Sequence, residues 1–139
     1  MTTAIDTNVV IALWDPDAAL SLAAQTALEK AFRRGGLVVA APVFSELIAA
    51  SGRTESFVDA FLDETGVSVD WALREAAWRS AGRAFQSYER RRKQRDSGAR
   101  RILADFLIGA HALVGGHRLL TLDKGLYVAA FPGLRVETV

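Results

Sequence analysis

The chain has 139 residues, half of them hydrophobic, no cysteine and a net charge of +1. That is the size of a single domain, residues 1–139, with a substantial core, and the missing cysteines exclude a disulfide framework, a thiol nucleophile and a cysteine-type zinc site while fitting a cytoplasmic setting. No apolar stretch reaches the roughly 18 residues of a membrane span and no cation precedes Lys30, so no membrane segment and no signal peptide is expected.

The first apolar run, TAI, reads as a strand that stops at Asp6-Thr7-Asn8. A carboxylate at the end of a buried strand is costly without a cation or hydrogen-bond donors, so Asp6 requires a partner from elsewhere in the chain. N-capping of a following helix is the plainer reading of the same residue. Asp15-Pro16 reads as the N-cap and first residue of a helix whose apolar stripe, Leu20, Ala24, Ala27, Leu28 and Ala31, ends at Gly35.

GLVVAA is the second expected strand, and a helix follows Pro42 through VFSELIAAS. A third helix is expected from Thr54 to Gly66 with Phe57, Phe61 and Leu62 inward, then a strand, VSVD, and a long helix behind Asp70 as its cap. The segment RRRKQRDSGARR, residues 90–101, holds seven cations against one anion, whereas residues 1–89 hold seven against twelve. This block reads as an RNA-docking surface, including Arg100 and Arg101, or as a solvated helix end or loop. ILADFLIGAHALVGG is a helix stopped by its glycine pair; RLLTLD and LRVETV are the last strands, with Tyr127 and Phe131 anchoring a short helix between them.

Strands separated by helices predict an α/β fold with a central, mainly parallel sheet covered on both faces, and such sheets hold ligands beyond the carboxyl ends of their strands. Asp6 and Asp123 both end strand-like runs at that edge. Glu46 and Asp105 interrupt apolar helical patterns just beyond it, although solvated first-turn positions would also suit them. Four acids in one crevice repel one another unless a hard divalent cation is present, and Mg²⁺ or Mn²⁺ supplies that compensation while activating water against a phosphodiester.

Four stretches, IDTNVVIAL, SEL, ADFLIGAHAL and LLTLDKGLYVAAFPGLRV, together resemble the PIN-domain ribonucleases, and most closely VapC-type toxins of prokaryotic toxin–antitoxin pairs. The resemblance runs over nearly the whole chain. It implies a three-layer α/β/α sandwich and Mg²⁺- or Mn²⁺-dependent endoribonuclease activity on structured RNA such as tRNA or rRNA. It further implies metal ligation by Asp6, Asp105 and Asp123, assistance from Glu46, and support from Asn8 and Thr121. A VapB-like antitoxin and a homodimer are the partners it implies. Lys124 and Gly125 follow Asp123 where several relatives carry another acid, which argues against a well-occupied second metal.

His111 is read as a packing residue, His117 as loop surface, and Trp14, Trp71 and Trp78 as core or interface. Phosphotransfer folds also place acids at strand ends, but a haloacid-dehalogenase-like site wants Asp-x-Asp, and Asn8 stands two residues past Asp6. The non-enzymatic alternative is a catalytically silent RNA-binding or partner-binding module on the same fold.

Overall fold

The computed structural model describes residues 1–95 and 102–139. Arg100 and Arg101, and with them the end of the basic block, lie outside the described residues. Five parallel strands form one sheet: β1 (Thr3–Ile5), β2 (Leu37–Ala40), β3 (Val67–Asp70), β4 (Arg118–Thr121) and β5 (Val136–Thr138), in the order β3-β2-β1-β4-β5. The expected mainly parallel sheet is parallel throughout.

Strand burial follows that order. The central strands β1 and β2 are buried at every residue and carry uninterrupted apolar runs such as LVVA, the mark of strands covered on both faces. The edge strands β3 and β5 are only partly covered. Glu137 on β5 accepts from the two terminal nitrogens of Arg34 at 2.7 and 2.6 Å and from Arg118 Nη1 at 2.6 Å, tying this edge to the neighbouring strand and a helix.

The chain moves outward from β1 through β2 to β3 and then returns to the other side of β1. Most helix contacts fall into two sets accordingly, joined where the third helix meets the sixth. Helices α1 (Thr7–Leu13), α2 (Ala18–Arg34), α3 (Ala41–Ser51) and α4 (Glu55–Thr65) pack among themselves, and α5 (Glu75–Arg95) packs on α6 (Leu103–Gly115) and α7 (Lys124–Ala130). Right-handed crossovers put outward and returning connections on opposite faces of the sheet, which gives the three-layer α/β/α sandwich. The core between the layers is built from Val9, Val39, Val43, Leu47, Phe106, Ile108 and Leu119, all essentially inaccessible. Phe106 stacks on Phe85 with ring centroids 4.7 Å apart, which fixes α6 against α5.

Several local expectations are corrected. The cap of α2 is Asp17, whose Oδ1 accepts from the amides of Ala19 and Leu20; Asp15 instead accepts from the Asp17 amide and closes the preceding turn. Asp70 does not cap α5, which starts at Glu75. Its Oδ1 accepts from the Ala72 amide and its Oδ2 lies 3.1 Å from His111 Nε2. Phe57 faces outward at 40% exposure, and Val58 takes its place in the core. Of the core-or-interface readings, Trp71 and Trp78 are surface and not core residues, and His117 lies in the expected loop, between α6 and β4, but half-buried beside His111.

Candidate active site

The return from β3 to β4 places β4 beside β1, so the chain reverses its direction of travel between these two strands. A crevice opens beyond the carboxyl ends of strands at such a point. Asp6 is the residue after β1, and its backbone N–H continues the ladder by donating to Leu120 of β4 at 2.9 Å. It occupies the N-cap position of α1, yet its side chain makes no capping hydrogen bond. The capping reading of Asp6 is therefore wrong in its chemistry, and the carboxylate is directed across the sheet.

Its partner is Thr121, the last residue of β4, whose hydroxyl donates to Asp6 Oδ2 at 2.7 Å. Thr121 Oγ1 also accepts from the Asp123 amide at 2.9 Å and from Asn8 Nδ2 at 3.4 Å, and Asn8 Oδ1 accepts from the Leu122 amide at 3.1 Å. Asp6, Asn8 and Thr121 thus form one network that locks the end of β1 to the end of β4.

Glu46 comes from the second turn of α3, half-buried, with Oε1 accepting from the Thr7 hydroxyl at 2.6 Å. Asp105 is the third residue of α6, where a helix N-terminus favours negative charge; its Oδ2 also accepts from the Ile102 amide at 3.4 Å. Asp6, Glu46 and Asp105 line one cleft of about 440 Å³ together with Thr7, Asn8, Ile11 and Ala49. Asp123 is not part of that lining. It stands at the head of α7, bound through its amide to Thr121.

Burial pushes the Asp6 carboxyl up to about 6; the nearby Asp105 charge adds to this, and the Thr121 hydroxyl and Tyr127 oppose it. Glu46 is raised for the same leading reason, with Thr7 opposing and Asp105 adding. Burial and the neighbouring Asp6 and Asp105 carboxylates move the Tyr127 phenol upward, so it stays protonated. Its hydroxyl is buried without a direct hydrogen bond among the described residues, and it still eases the charge on Asp6 from nearby.

Three carboxylates in a half-open cleft, with the Asp105 charge raising both Asp6 and Glu46, form a hard-oxygen donor set. Among the described residues no three acids or imidazoles are gathered closely enough to cage an ion unaided. The set fits the Mg²⁺ mode of binding, in which one or two carboxylates are completed by waters and phosphate oxygens.

Thr7 and Tyr127 were not singled out as site residues from the sequence. Thr7 carries a local signal, since it follows Asp6 at a helix start and its hydroxyl is available to a neighbouring helix. Tyr127 carries none, because its approach to Asp6 depends on how α7 folds back over β4.

The PIN domain family profile matches residues 3–132. No protein among those curated for function matches the chain by sequence. Among solved structures, the chain is similar to VapBC-1 from nontypeable Haemophilus influenzae, with TM-score 0.69 and 18% identity over 99% of this chain and 98% of that one. It is also similar to VapBC2 from Rickettsia felis, solved bound to a promoter DNA fragment, with TM-score 0.62 and 17% identity over 99% and 98%. FitAcB from Neisseria gonorrhoeae gives 0.59 and 17% over 96% and 95%. At these identities the likeness is one of fold.

Proposed function

The chain belongs to the PIN-domain family, and on that premise we propose that it is a divalent-metal-dependent endoribonuclease, the toxin of a VapBC-like toxin–antitoxin pair. The observation that carries this reading is the convergence of Asp6, Glu46 and Asp105 from β1, α3 and α6 on one cleft at the point where the strand order reverses. The fold shared with VapBC and FitAB proteins supports the toxin role and a VapB-like antitoxin as partner. A homodimer and a cytoplasmic location complete the proposal; among the described residues no helix is long and apolar enough to cross a membrane.

Asp6 and Asp105 are the proposed ligands of Mg²⁺ or Mn²⁺ inside the cleft, with Asp123 the proposed third from the head of α7. When bound there, the cation would activate water and offset charge developing on the phosphodiester. The chain's own contribution is positional and acid–base. Thr121 and Asn8 hold Asp6 at the sheet edge, and Thr7 holds Glu46. Glu46, whose carboxyl is raised by burial, is suited to accept a proton from the attacking water.

The test is cleavage of labelled tRNA and rRNA pools by the antitoxin-free protein with Mg²⁺, Mn²⁺ or EDTA, beside the Asp105→Asn variant. Discrete fragments that require both metal and Asp105 are the expected result. RNA retention without cleavage, indifferent to metal, would instead support the silent binding module.

A further inference from the structure

Resting on the nuclease reading of the acidic cleft, we propose that Tyr127 is a positioning residue of that site: its buried phenol donates to the ionised Asp6 carboxylate from the core side and so keeps it set for a divalent cation.

The chain leads from the partner of Asp6 directly to this tyrosine. Thr121 ends β4 and donates to Asp6 Oδ2 at 2.7 Å, and its hydroxyl accepts from the amide of Asp123, which heads α7, at 2.9 Å. Tyr127 follows four residues after Asp123, one turn into that helix. The next turn is fixed as well. The Phe131 amide donates to the Tyr127 carbonyl at 2.8 Å, and the Phe131 ring lies so close to Gly109 of α6 that a Cβ there would meet it at 2.3 Å. Strand β4 on one side and α6 on the other therefore hold the phenol in place.

Within this seat the hydroxyl is an anomaly. Tyr127 is fully buried, yet its hydroxyl has no direct hydrogen bond among the described residues. A phenylalanine would fill the same space without the cost of a buried polar atom. The charges that act on the phenol account for its presence, with Asp6 foremost and Asp105 and Glu46 behind it. Burial and these carboxylates keep the phenol protonated, which leaves it a proton to donate.

Asp6 feels the same group from its own side. The Thr121 hydroxyl, the Tyr127 hydroxyl and the Thr7 amide, in that order, ease its charge against the cost of burial. Thr121 and Thr7 flank the carboxylate at the strand ends, and Tyr127 supports it from the core. Hydrogen-bond donors behind a metal-binding group fix its orientation, and removing one typically costs ten- to a hundredfold in metal affinity.

Tyr127→Phe keeps the ring and removes only the hydroxyl. Mn²⁺ binding to the antitoxin-free protein at pH 7.5 is measured by titration calorimetry, with Asp105→Asn as the control that marks binding in the cleft. Tyr127→Phe is expected to raise the Kd for Mn²⁺ about tenfold. Thermal melting in EDTA at the same pH is then compared for Tyr127→Phe alone and on an Asp6→Asn background. The melting temperature is expected to fall in the first case and to change much less in the second, because the hydroxyl has lost the charge it serves. Unchanged Mn²⁺ affinity overturns the proposal. So does an equal melting shift on the two backgrounds, the mark of a phenol that only packs. A wild type that binds no Mn²⁺ defeats the metal-dependent nuclease reading instead, and the melting comparison then still decides whether Tyr127 serves Asp6.

Discussion

The Thr121 hydroxyl donates to Oδ2 of Asp6 at 2.7 Å across 115 residues of sequence, inside a space where Thr121 is fully buried and Asp6 is 4% exposed. This bond joins the last residue of β4 to the residue after β1, the two strands between which the direction of the chain reverses. Replacing Thr121 by valine keeps the shape and removes a hydroxyl that serves Asp6, Asn8 and the Asp123 amide together. Thr121→Val is expected to lose about 2 kcal/mol of stability, and to move the acid limb of the pH–activity profile upward, because the hydroxyl lowers the Asp6 pKa. Chemical denaturation and cleavage rates over pH 5 to 8 check the two parts; a valine variant with an unchanged acid limb would contradict the second.

Asp6 gives a metal-free protein an unusual pH dependence. Its carboxyl lies at about 6 when folded and 3.8 as a free side chain. A raised folded value means that the protonated form is favoured in the fold. Its stabilising contribution is complete below about 4 and is lost as pH rises through about 6. In EDTA, stability is expected to fall across that window by on the order of 2–3 kcal/mol. Asp6→Asn removes the effect, so this variant should melt above wild type at pH 7.5 in EDTA while having no nuclease activity. A wild type that is the more stable of the two under those conditions would count against a buried, uncompensated carboxylate.

Divalent metal is expected to reverse that ranking. Mn²⁺ is expected to raise the melting temperature of wild type at pH 7.5, where Asp6 is ionised, and to do much less at pH 5. Asp6→Asn and Asp105→Asn should lose the increment. Asp123→Asn is expected to retain part of it, since Asp123 does not line the cleft. Equal loss in all three variants would place Asp123 among the ligands on the same footing as the other two.

Two helix glycines should respond in opposite directions to alanine. A Cβ on Gly109, four residues after Asp105, would lie 2.3 Å from Cε2 and 2.6 Å from Cδ2 of Phe131, a ring that is itself buried. Gly109→Ala should cost about 1–3 kcal/mol through this overlap. Nothing lies within 4 Å of a Cβ on Gly82 in α5, and Gly82→Ala should add about 0.5–1 kcal/mol through helix propensity alone. Thermal unfolding of the two variants separates packing from propensity; a stabilising Gly109→Ala would refute the packing account.

Glu137 behaves in the opposite sense to Asp6. Its hydrogen bond from Arg34, helped by Arg118 and their charges, lowers it to about 2 from 4.5. A lowered folded value means that its contribution is present above about 4.5 and lost as pH falls through about 2. The site is partly open to solvent, so Glu137→Gln should cost no more than about 1 kcal/mol at pH 7. The difference from wild type should vanish near pH 2 in denaturant titrations; a difference that persists there would have to come from packing instead of charge.

Much of this protein was legible in its residues because the signals are local. The apolar run LVVA, bounded by Gly35-Gly36 and Pro42, reads as a strand, Thr54 and Gly66 bracket α4 as its caps, and the stripe of α2 repeats at helical spacing. Asp6 and Asp105 stood out as acids set in apolar patterns, with N-capping and a solvated first turn open beside the site reading; only the four acids taken together favoured a site. Where local signals compete, the sequence was ambiguous. Asp15 and Asp17 are both good caps, and backbone hydrogen bonding rather than residue type decides that Asp17 starts the helix.

Tertiary structure alone decided which acids share a cleft. Residue spacing treats Asp6, Glu46, Asp105 and Asp123 alike, because each ends a strand or begins a helix near the same edge. The register of β4 against β1 sets Thr121 opposite Asp6, and the turn that follows carries the next acid, Asp123, to the head of α7. The seating of Arg53 on Trp14 and Phe57 depends likewise on how α1, α3 and α4 meet. Hydrophobic periodicity fixes which face of an element is buried, but it carries no information on the angle and offset at which two elements pack. Those offsets bring together side chains more than a hundred residues apart, and they settle which polar groups face one another.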